Sequence, residues 1–145
     1  MRLLVIALAA LSMTTMSGCV AEWFAIRTVE EIKHSKYHVE YASTKVPAAV
    51  TSCMMSTLYS HKTAKETRPY AEVATQNFGP INAITLRTTQ NLATKMYGGG
   101  DELLFLIENS PTETGGTTSA FWVNQNLLSA REYLDSLVGV VKVCL

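Results

Sequence analysis

The sequence predicts an α+β fold, an antiparallel β-meander with two helices packed on one face. Apolar residues recur at three-to-four spacing over residues 46–58 and again over 130–144, the signature of helices that bury one stripe. Between these stretches, from Pro69 onward, the period shortens to that of strands. The connections between the strand-like runs are too short for parallel crossovers, which need a dozen or more residues, so neighbouring strands must run antiparallel. Helices before and after the strands, rather than alternating with them, belong to α+β architecture.

The elements follow in order. Residues 37–41, Tyr-His-Val-Glu-Tyr, alternate and read as an extra strand ahead of the first helix. Ser43 and Thr44 followed by Pro47 read as that helix's start, because the N–H that proline lacks would be unpaired in a first turn anyway. Val46, Val50, Cys53, Met54, Thr57 and Leu58 share its inward stripe. The helix is expected to fade over 61–68, where Thr, Lys and Glu dominate and Pro69 disfavours helical geometry in the residue before it. Strands are expected over 70–75, 81–88, 92–97, 103–108 and 118–124, with turns at Phe78-Gly79-Pro80 and Gly98-Gly99-Gly100-Asp101. Leu103-Leu104-Phe105-Leu106-Ile107 is apolar at every position, as in a central strand or one whose outer face is covered by another element. Residues 109–117, rich in Ser, Thr, Pro and Gly, read as a long loop. The last helix opens on Ser129-Ala130-Arg131-Glu132, a capping-box pattern, with Leu128 and Tyr133 spaced for a hydrophobic staple. Ala130, Leu134, Leu137, Val141 and Cys144 form its stripe.

The first nineteen residues bear on location. Arg2 supplies a positive start, residues 3–11 an apolar run of nine residues, and Met16-Ser17-Gly18-Cys19 the close. The run falls well short of the roughly 20 residues that span a bilayer, and the pattern is that of a secretory signal. It resembles the lipobox of bacterial lipoproteins, in which small residues precede a cysteine whose thiol is acylated before cleavage. Met16 stands where that family usually carries Leu. Ordinary secretory cleavage, which favours an A-x-A-like pair of small residues, fits Met16 less well. The resemblance implies a signal peptide over 1–18, a lipidated and palmitate-bearing Cys19 as the mature N-terminus, and, with Val20 rather than Asp next, outer-membrane anchoring facing the periplasm. Residues 19–36 then form a tether, or a short helix or strand resting on the domain, and 37–145 a single domain. Trp23 and Phe24 are placed either for the membrane interface or for the domain's own core.

With Cys19 acylated, Cys53 and Cys144 remain of the three cysteines, an even pair in an oxidising compartment, and a disulfide is expected. Two separate buried thiols are the alternative. Lys plus Arg and Asp plus Glu both number 12, and no basic face of the kind that binds nucleic acid is visible. His34 and His38 would share one face of a helix and offer a metal pair, but the strand-like alternation that begins at Tyr37 breaks that alignment. Gly98-Gly99-Gly100 leads through Asp101 and Glu102 into an apolar strand, whereas a phosphate loop leads into a helix N-terminus; a hairpin turn is expected. His61 is a lone helix-end residue. No catalytic residue, metal ligand or cofactor is expected. The function expected is that of a lipid-anchored periplasmic binding or assembly module, held to the membrane by its lipid and meeting an envelope protein partner. An envelope-acting hydrolase without a recognisable motif is the alternative.

Overall fold

The computed structural model describes residues 26–61, 71–88 and 102–145. Its frame is one five-stranded antiparallel sheet: β1 (His38–Ser43), β2 (Ala71–Phe78), β3 (Ile81–Thr88), β4 (Leu103–Pro111) and β5 (Thr117–Val123), in the order β1-β5-β4-β3-β2. The chain therefore meanders from β2 to β5, and the strand expected near Tyr37 closes the far edge by pairing with β5. β3 pairs directly with β4; the strand expected over 92–97 and the glycine turn at 98–101 lie outside the described residues.

One face of the sheet carries α2 (Pro47–Ser60) and α3 (Ala130–Val141), the latter extended by a 3-10 turn over Lys142–Cys144. Val50, Met54 and Leu58 from α2 and Leu134, Leu137, Val138 and Val141 from α3 share one core with Ile84, Leu86, Phe105, Ile107, Phe121 and Val123 of the sheet. Both predicted stripes point inward, except that Val46 is exposed. The Cys53–Cys144 disulfide fastens the middle of α2 to the turn that ends α3, across a Cα–Cα distance of 5.6 Å and a sequence separation of 91. In the chain-entropy picture a loop of that size stabilises the fold by at most about 4 to 5 kcal/mol.

The opposite face is covered by the segment read as a tether or a short element resting on the domain, and from Ile26 it takes the second form. α1 (Val29–Ile32) is a single turn closed by a capping box, with the Thr28 hydroxyl accepting from the Glu31 N–H and the Glu31 carboxylate accepting from the Thr28 N–H. Ile26 and Ile32 are buried with Ala83, Leu103 and Leu106, and Trp122 packs beside them. Between Leu86 and Arg87 the register with β4 slips by one residue, so that Leu104 and Phe105 both join the helix-side core while Leu103 and Leu106 face α1. The uniformly apolar run is thus a central strand covered on both faces.

Four expectations require correction. Ser129 adopts a left-handed conformation (φ 59°, ψ 39°) and its side chain caps nothing, because a capping box needs an extended N-cap backbone. Leu128 is 97% exposed and makes no staple; a turn organised by Asn124, whose side chain accepts from the Asn126 N–H at 2.9 Å, leads into α3 instead. The 109–117 loop shrinks to residues 112–116, since Asn109, Ser110 and Pro111 are paired in β4 with Ser119, Thr118 and Thr117. Gly116 closes that turn where a Cβ would collide with the Ser43 carbonyl. At the start of α2, Pro47 is in the first turn as expected, but the N-cap is Val46, and Ser43 accepts from the Lys45 N–H in the turn before it.

Burial separates two substitutions of similar chemistry. Ile32→Ala should lower unfolding stability by about 2 to 5 kcal/mol, whereas Leu128→Ala should change it by no more than about 0.5 kcal/mol. Urea denaturation of both variants checks this, and equal effects would contradict the packing of α1 on the sheet.

Candidate functional site

The outer face of the sheet is incompletely covered. α1 lies over β4, and between it and the β2 edge an open cleft of about 480 Å³ follows β3. Strand alternation puts Ile81 and Arg87 on its floor, with Gln76 and Phe78 contributed by β2 and Glu108 by β4; Arg27, Val29, Glu30 and Lys33 form the other wall. From Ile81 to Arg87 the cleft runs for about 20 Å at the rise of an extended strand.

Its polar groups are held by specific bonds. Glu108 is buried, and Lys33 Nζ sits 2.7 Å from its carboxylate, so the charge is paired where it could not be left alone. The same ammonium lies 5.9 Å from the Trp122 ring centroid, within cation–π range. Arg87 donates from Nη1 to the Arg27 carbonyl at 2.7 Å, which ties the cleft floor to the segment leading into α1. Leu103 N–H donates to the Ile26 carbonyl at 2.7 Å on the same side. The N–H groups of Arg27 and then Thr28, at 2.8 and 2.9 Å, hold the Glu31 carboxyl below the usual carboxylate range. That contribution to the fold is present above the ordinary Glu range and is lost as the pH falls through the depressed value.

A second set of polar groups is fully internal. Asn109 is buried on the helix side, donating to Thr51 Oγ1 at 2.8 Å and accepting from Ser119 Oγ at 2.6 Å. This network joins α2, β4 and β5, and its satisfied bonds make it structural.

The residues singled out from sequence fall as follows. Cys53 and Cys144 are brought together in the disulfide. Cys19, Trp23 and Phe24 lie outside the described residues. His34 sits in the turn after α1 and His38 at the start of β1, where its ring stacks on Trp122 at 6.4 Å between centroids. Among the described residues no group of three or more His, Cys, Asp or Glu side chains is placed to hold a metal ion. His61 caps the end of α2 with an exposed side chain. Sequence reading missed the cleft altogether. Its signals were present in the outward positions Gln76, Phe78, Ile81, Arg87 and Glu108, which share one face once the strands pair.

No protein-family model matches the chain, and no curated protein matches it either. Among solved structures it is similar to the crystal structure of the di-domain ARO/CYC StfQ from the steffimycin biosynthetic pathway, with 12% identity, 79% of this chain and 49% of that chain covered, and a TM-score of 0.27. The chain spans about half the length of that protein, and a likeness this loose carries no argument.

The asymmetry of the buried pair gives a test. Lys33→Met strands the Glu108 carboxylate in the interior, while Glu108→Gln leaves behind an ammonium that still reaches water. Lys33→Met should therefore be the more destabilising change, by about 1 to 3 kcal/mol, in chemical denaturation; the reverse order would contradict the placement of this pair.

Proposed function

We propose that the protein is a lipid-anchored periplasmic lipoprotein, tied to the outer membrane through acylated Cys19, whose domain serves binding or assembly rather than turnover. The observation that carries this reading is the disulfide. It uses Cys53 and Cys144 and leaves Cys19 as the remaining cysteine of the chain, at the end of a stretch that resembles a lipobox. Disulfides persist in oxidising compartments such as the periplasm, the destination such a signal implies. Among the described residues no helix is long and apolar enough to cross a membrane. A membrane attachment made by these parts would rest on acyl chains, each buried CH₂ contributing about 0.8 kcal/mol. The binding role draws on the outer-face cleft, which is lined by Arg27, Lys33 and Arg87, by Glu30 and Glu108, and by the exposed Phe78 ring.

Cys19→Ser removes the thiol that acylation needs. The variant should fail to incorporate radiolabelled palmitate and should leave the membrane fraction or accumulate unprocessed. A variant that labels and fractionates like the wild type would overturn the lipoprotein reading.

A further inference from the structure

We propose that the cleft on the outer sheet face binds the phosphodiester of a membrane phospholipid, with Arg87 as its principal contact. This rests on the anchored reading above. Cys19 and Ile26 are seven residues apart, and seven residues span at most about 25 Å whatever conformation they take. The Ile26 carbonyl is fixed to the Leu103 N–H, and the Arg27 carbonyl next to it to Arg87. A lipid-bearing Cys19 consequently holds this end of the sheet, and the cleft that begins there, close to the headgroups.

The chemistry of the cleft suits such a neighbour. Lys33 is occupied by Glu108. Arg87 spends one N–H on a carbonyl and forms no ion pair within the described residues, although Glu72 stands opposite it in register on β2. A guanidinium has five N–H donors in a planar fork that matches phosphate oxygens, so Arg87 keeps donors for a ligand. Glu30 lines the cleft as well, and its carboxylate favours headgroups that carry a hydroxyl or an ammonium beyond the phosphate.

The test is a titration of the purified full chain in neutral detergent with dihexanoyl phosphatidylglycerol, read from backbone amide NMR shifts. Shifts should concentrate in residues 27–33 and 76–87. Arg87→Gln should weaken binding about fivefold or more, the effect of one cation at a lipid surface. Arg87→Lys should retain more of it, and Arg131→Gln, on the exposed face of α3, should leave it unchanged. Equal binding of dihexanoyl glycerol would show a merely apolar groove, equal binding of inorganic phosphate a site for soluble anions, and shifts outside the two segments a different surface. Each of these outcomes, or no binding, overturns the proposal. The titration can be read with or without acyl groups on the chain, so its failure is distinguishable from failure of palmitate labelling.

Discussion

A strand with no polar face cannot be left half in water, and β4 is that strand. Residues Leu103 to Ile107 are buried without exception, so the fold must supply apolar cover on both sides of the sheet. Hydrophobic burial contributes about 25 cal/mol per Å² of apolar surface, and a bare side would expose either Leu103 and Leu106 or Leu104, Phe105 and Ile107. The two helices cover one side and Ile26 to Ile32 the other. From this constraint follow the one-residue slip that turns Leu104 and Phe105 together toward the helices, and the need for Lys33 to meet Glu108 where β4 emerges from under α1. The disulfide then locks the helix layer, joining the element that follows β1 to the chain's last turn.

Much of the architecture was legible because it is written in period. The stripes of α2 and α3, the alternation of β1, the Phe78-Gly79-Pro80 turn and the unbroken apolar run of β4 all survive folding in the form the residues suggest. What failed were readings of local motifs without their backbone. Ser129 and Glu132 have the right spacing for a capping box, but Ser129 stands in a left-handed conformation that forbids it. The working box is at Thr28 and Glu31, in a segment whose pattern left a tether and a short helix or strand on the domain both open. Composition misled in the same way at Asn109, which suggested loop and is instead internal, because Thr51 and Ser119 satisfy its amide. The cleft was invisible since it depends on cross-strand register, which brings Gln76, Phe78, Arg87 and Glu108 together from three strands.

The functional reading joins two kinds of information. The proposed location rests on the resemblance of the N-terminal stretch to a lipobox, and the proposed binding role on the cleft of the outer sheet face. Their meeting point is Ile26: the short chain between Cys19 and the sheet can hold the outer face near the bilayer only if that residue is part of the folded unit. Loops and tethers usually decouple a domain from its anchor, whereas an anchor at Cys19, as proposed above, would act on the whole sheet through the bond between the Leu103 N–H and the Ile26 carbonyl.

That point of attachment can be measured directly. Native-state hydrogen exchange on the full chain reports the opening free energy of each amide. The Leu103 amide, which donates to the Ile26 carbonyl, should exchange only with global unfolding, at the same free energy as the amides of Ile84 and Leu106 in the sheet centre. If Leu103 instead exchanges at the low free energy of a fraying end while Ile84 and Leu106 stay protected, the segment before α1 is not locked to β4, and the account of a sheet covered on both faces from Ile26 onward fails.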